Sequence, residues 1–147
     1  MPNFKQNLQQ LRIIHLAMAL GPVVVLLIAY QNSKEQPPSI LNTVGFGVGF
    51  VSVLLHRFLP AKTIGSTEEE IPFNEKFGKY RTYKIIQTAL LESGSLINAV
   101  FYFLNKYEFS LYASAVLILL ILLVPPTKSE FFSLLNINER VARENDI

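Results

Sequence analysis

The residue best placed to do chemistry is a carboxylate in an apolar setting: Glu92, within KIIQTALLESGSLINAVFYFLNKY, residues 84–107. An ionised carboxylate in hydrocarbon costs roughly 3 kcal/mol or more unless it is paired, hydrated or protonated. The position therefore points to proton or cation binding, or to a hydrogen bond that glues helices together. Thr88, Glu92, Ser95 and Ala99 recur at i, i+4, i+7 and i+11, which puts them on one helix face. Gln87, Gly94 and Asn98 extend that face to one side. Two histidines, His15 and His56, are candidate partners; histidine as a residue type switches charge near neutral pH, and a His–Glu pair could store or pass a proton. The ion or proton candidates are Glu92, His15, Gln87 and Ser95. The bland alternative is structural: a protonated Glu92 bonded within the bundle, and histidines reaching lipid headgroups. Two His and one Glu also match a metal-ligand inventory, but they fall on three separate helices without a local spacing motif, so no metal is expected.

Other chemistries find little support. The chain of 147 residues has no cysteine, which excludes disulfides, thiolate metal sites and thiol nucleophiles. GFGVGF lies inside an apolar helix rather than after a strand, so it is not a nucleotide fingerprint. There is no Walker motif, no HExxH and no GxSxG. We expect no cofactor and no enzymatic activity. A net charge of +2 is too small to imply nucleic acid.

The elements that must position these residues are apolar. Half of the chain is hydrophobic, gathered into four runs at 13–30, 40–59, 84–104 and 109–124. Each reads as a transmembrane helix; the last is short and needs flanking aromatics or a thinner bilayer. MPNFKQNLQQLR is polar, and no cleavage pattern follows the first run, so that run reads as a retained helix carrying Pro22. The segment QNSKEQPPS reads as a turn. Gly45, Gly47 and Gly49 give GxGxG, and Gly45 with Gly49 form a GxxxG face suited to close helix packing. Glu68, Glu69 and Glu70 read as a solvated acidic loop. Phe73, Phe77 and Tyr80 then recur at helical spacing, predicting an amphipathic segment over 73–83 that lies at the membrane surface or runs straight into the next span. After Pro125 and Pro126, TKSE matches a capping box ahead of a second amphipathic segment over 128–136, expected on the membrane surface. The tail NERVARENDI is charged.

Charge decides the orientation. Lys5, Arg12, Arg57, Lys62, Lys76, Lys79, Arg81, Lys84, Lys128, Arg140 and Arg143 fall on one side of the four runs; Lys34 and Lys106 fall on the other. The positive-inside rule then makes both termini and the central loop cytoplasmic. A repeat is also visible. Arg12-Ile13-Ile14-His15 aligns with Lys84-Ile85-Ile86-Gln87 at an offset of 72, which also brings Tyr30 onto Tyr102. Duplication of one helical hairpin and coincidence both explain it.

A possible duplicated hairpin, a GxGxG helix and one membrane carboxylate together resemble the proteolipid c subunits of rotary ATPases, especially the four-helix type. The resemblance spans mainly residues 40–102 and implies an ion-binding role for Glu92. In that family the glycine-rich helix opens its hairpin and the carboxylate lies in the second helix. Here the glycines are in the second helix of hairpin one and Glu92 is in the first helix of hairpin two. RIIHLAMALGP and PPTKSEFFSLL also look similar to small bacterial four-span proteins, a resemblance that implies no activity.

The expectation is thus an all-α, single-domain bundle of four transmembrane helices in the inner membrane, N-in and C-in. It would be a non-enzymatic accessory subunit or a self-associating bundle, partnered by lipid and by copies of itself or a larger complex. The competing expectation is a proton- or cation-handling protein that uses Glu92.

Overall fold

Phe4, Leu8 and Leu11 recur at i, i+4 and i+7, and this spacing starts the first helix well before the apolar run does. The computed structural model describes residues 4–34, 37, 40–60, 64, 71–135 and 137. Among them the regular structure is helical: α1 (Phe4–Asn32), α2 (Ile40–Phe58), α3 (Phe73–Asn105), α4 (Glu108–Leu123) and α5 (Lys128–Leu134). The acidic run Glu68–Glu70 and the tail from Asn138 onward lie outside the described residues.

α3 is the axis of the molecule. It packs against α1, α2 and α4, and α4 also reaches α1 and α2. Its 33 residues span about 50 Å at 1.5 Å per residue, so the amphipathic stretch and the apolar stretch are one continuous helix. Pro72 opens it, where the missing N–H is no loss, and its carbonyl accepts from Glu75 N (3.0 Å) and Lys76 N (3.1 Å). Lys106 ends it in the left-handed conformation (φ 50°), with its N–H on Tyr102 O.

The offset seen in the sequence reappears as a packing register. α1 and α3 meet at Phe4–Phe77, His15–Thr88, Gly21–Glu92 and Tyr30–Tyr102, partners 71 to 73 residues apart throughout. A constant separation over that length means that the two helices run parallel, side by side.

Two cores stack along this axis. At the α5 end, Phe4, Leu8, Leu11, Phe77, Tyr80, Phe131 and Leu135 are all buried together. Phe131 lies edge-on to Phe73, Phe77 and Tyr80, with centroids 5.2–5.7 Å apart. Each such ring contributes about 1.5–3 kcal/mol by burial. The two amphipathic segments therefore set their apolar faces on protein, against Phe4 of α1, rather than only against a membrane surface. The second core, Ala19, Leu91, Leu117 and Ile121, fills the space between α1, α3 and α4.

By length and composition, α1 is long and apolar enough to cross a membrane; α4 and α5 make a second if the pair, bent by 83° after Pro125-Pro126, counts as one span. α2 is apolar but short over its described part, and the 33-residue α3 carries too many polar side chains on its buried stripe to match α1. Gly78, exposed inside α3, has nothing within 4 Å of a built Cβ. Gly78→Ala should therefore stabilise the protein by up to about 1 kcal/mol, read as a raised unfolding midpoint in detergent.

Candidate functional site

A buried polar stripe runs along α3: Tyr80, Lys84, Gln87, Thr88, Ser95 and Asn98 are each shielded from solvent. Tyr80, Lys84, Thr88, Ser95 and Asn98 follow at steps of four, four, seven and three, which keep them on one side of the helix, and Gln87 widens the stripe beside Thr88. Tyr80, Lys84, Thr88 and Ser95 find partners on α5, α1 and α4, tying those helices to α3, while Gln87 and Asn98 bond within α3 itself.

At the α5 end, Lys84 Nζ donates to Glu130 Oε1 (3.0 Å) and to Gln87 Oε1 (2.8 Å), and stands 5.9 Å from the centre of the Tyr83 ring. Lys84 is 1% exposed and Glu130 28%. The Tyr80 hydroxyl donates to Glu130 Oε2 (2.8 Å) and accepts from Thr127 N (3.0 Å). Burial first, and then its bond to the Glu130 carboxylate, hold the Tyr80 phenol far above the usual tyrosine range. Thr127 caps α5 by accepting from Glu130 N at 3.2 Å. The other half of the capping box is relayed: Glu130 reaches the Thr127 N–H through the Tyr80 hydroxyl instead of directly.

One turn further along, His15 is wholly committed. Its Nε2 lies 2.8 Å from Ile121 O and its Nδ1 3.0 Å from Thr88 Oγ1. The carbonyl can only accept, so Nε2 carries a proton, and in the neutral ring Nδ1 accepts from the Thr88 hydroxyl. His15 thus pins α1 to α3 and α4. Arg12 Nε adds a bond to Pro126 O at 3.0 Å. His56 lies elsewhere, its Nδ1 against Val53 O on its own helix.

The far half of the stripe serves close packing. Ser95 and Ser114 exchange hydroxyl bonds with each other's carbonyls at 3.1 and 3.0 Å, joining α3 to α4. Asn98 Nδ2 donates to Gly94 O (2.9 Å), while Asn98 Oδ1 is buried without a partner among the described residues. Gly45 and Gly49 of α2 lie over this side chain: a Cβ on Gly45 would meet Phe101 at 2.7 Å and Asn98 at 3.1 Å, and one on Gly49 would meet Asn98 at 3.3 Å.

Glu92 stands apart. It is half-buried on the flank of α3, and its Oε1 is 3.4 Å from the position of a Cβ on exposed Gly21 of α1. No hydrogen bond or ion pair holds it among the described residues. The residues named with it are bonded elsewhere: His15 to Thr88 and Ile121, Gln87 to Lys84, Ser95 to Ser114. The fold thus does not assemble Glu92, His15, Gln87 and Ser95 into one site. The described residues hold no cluster of three metal-ligating side chains. The Lys84–Glu130 pair was not read from the sequence; its signal was the basic residue three positions before Gln87 and the acidic residue in the capping box, 46 residues apart.

Compared with family models, curated proteins and solved structures, the chain matches none of them.

Proposed function

We propose that this chain is a four-span membrane protein, with both termini and the α2–α3 loop on the cytoplasmic side, that works as a subunit rather than as an enzyme. In this reading a further membrane helix covers the crevice between α1 and α3. The observation that carries it is Glu92: a carboxylate without a partner among the described residues, half-buried at the edge of the bundle, in the apolar stretch of the central helix. Facing lipid it would cost roughly 3 kcal/mol or more; covered by a donor from another chain it would not. The outward faces support the same reading. Ile13, Leu16, Leu20 and Leu27 of α1, Phe46 and Phe50 of α2, and Leu119 and Leu122 of α4 are exposed. So much outward apolar surface suits lipid or another helix rather than water. α3, longer than a bilayer is thick, carries its amphipathic end into the cytoplasmic layer with α5.

A second reading shares the observation: such a carboxylate can also take up a proton or cation, the role that the proteolipid resemblance implies. One substitution separates the two. Under the subunit reading, Glu92→Gln or Glu92→Leu weakens association in vesicles, measured by cross-linking or fluorescence transfer, by about tenfold (the loss of one charge-assisted bond), and leaves proton flux unchanged. Wild-type flux that Glu92→Gln abolishes moves the assignment to ion handling. A wild-type protein that stays monomeric in vesicles and in its native membrane sinks the subunit reading.

A further inference from the structure

At the end of the bundle opposite α5, the last turns of α1 and α3 and the first two turns of α4 border an open cleft of about 470 Å³. Besides Leu111, its lining is three phenols (Tyr30, Tyr102 and Tyr112), one cation (Lys106) and one anion (Glu108). Tyr30 and Tyr102 stack with centroids 6.4 Å apart and planes within 11°. α4 begins here, and its N-cap residue Tyr107 supplies no side-chain cap. Lys106 and the amino end of α4 favour an anion, while Glu108 and the tyrosine faces favour an ammonium group. A cleft with both preferences is complementary to a zwitterion. Tyr112 also borders a second, nearly all-apolar groove of about 270 Å³ between α2 and α4, lined by Phe46, Phe50 and Val116 among others. A further cleft of about 260 Å³ at Thr43 and Tyr107 joins that groove through Phe46 and Phe109. Aromatic residues at a membrane interface are common, but interface chemistry by itself does not place opposite charges among them beside an apolar groove.

From this juxtaposition we infer a binding site for a zwitterionic phospholipid. The phosphate lies by Lys106 and the start of α4, the ammonium by Glu108 and the tyrosines, and one acyl chain passes Tyr112 into the α2–α4 groove. The inference rests on the membrane reading above; it is independent of what covers Glu92.

The full-length protein, delipidated in detergent, is titrated with an equimolar mixture of phosphatidylethanolamine and phosphatidylglycerol, and bound lipid is counted by native mass spectrometry. Phosphatidylethanolamine should be bound in roughly fivefold excess, and Glu108→Gln should bring the ratio close to one. Tyr112→Ala should lower binding of both lipids. Glu108 and Tyr112 are exposed, and unchanged helical circular dichroism confirms that each variant folds. Equal binding by the wild type, or a ratio that Glu108→Gln leaves alone, overturns the site. Soluble O-phosphoethanolamine competing as well as the lipid would make the ligand a free zwitterion and overturn the lipid assignment. A protein that fails to float with vesicles of either lipid overturns the membrane reading itself, a result distinct from insertion without preference.

Discussion

Glu130→Leu should cost about 3 kcal/mol of stability, while the double variant Lys84→Met/Glu130→Leu should recover most of that loss. The reason is the difference in burial. Lys84 is 1% exposed, whereas Glu130 is 28% exposed. Removing the carboxylate strands an ammonium group that water cannot reach; its remaining partners are Gln87 Oε1 and the face of Tyr83. Breaking a buried pair from one side is far more damaging than removing both charges together. Lys84→Met alone leaves a carboxylate that keeps some solvent and the Tyr80 hydroxyl, so it should cost only about 1 kcal/mol. The measurement is a double-mutant cycle on unfolding midpoints in detergent micelles, followed by circular dichroism. Additive losses, or a single Glu130 loss below about 1 kcal/mol, would show that the aromatic core alone holds α5 in place.

The second large effect is expected at Gly94. A Cβ there would sit 2.7 Å from Ser52 Cβ and 3.2 Å from Leu117 Cδ1, and it would also strike Ser52 Oγ. The Ser52 Cβ cannot swing aside because it is fixed to its backbone, so α2 and α3 must separate. Gly94→Ala should therefore destabilise the protein by about 2–3 kcal/mol despite the better helix propensity of alanine. Gly47, with nothing within 4 Å, supplies the matched control: Gly47→Ala should be neutral or gain up to about 1 kcal/mol. Ser52→Gly in the Gly94→Ala background removes the obstructing atoms and should restore part of the loss. Equal behaviour of the two alanine variants would mean that the α2–α3 contact contributes nothing to stability.

These two predictions concern residues that the sequence made visible to different degrees. The glycines were legible as a close-packing face because GxxxG spacing repeats with the helix period. Gly94 was seen only as part of a polar face, and its contact with Ser52 joins helices 42 positions apart. The aromatic spacing of Phe73, Phe77 and Tyr80 announced an amphipathic helix, but a period records that a face is apolar and not what covers it. The answer, Phe4 and Phe131, comes from opposite ends of the chain. The shorter signal Phe4-Leu8-Leu11 was hidden by the polar residues around it, and so α1 starts nine residues before its apolar run.

Of the site, the sequence by itself determined the inventory: one carboxylate in the apolar part of the central helix, two histidines, no thiols, and a stripe of small polar residues at helical spacing. It also held the 72-residue offset that becomes the register between α1 and α3. Tertiary structure decided the pairing. His15 and Glu92 share no bond; the histidine turns inward to Thr88 and Ile121, and the carboxylate lies beside Gly21. Helical period fixes direction only relative to a residue's own axis. Which way that axis is rotated follows from how α1 and α4 satisfy the polar stripe of α3 and how α2 packs on its small residues, and that rotation leaves Glu92 as the carboxylate at the edge.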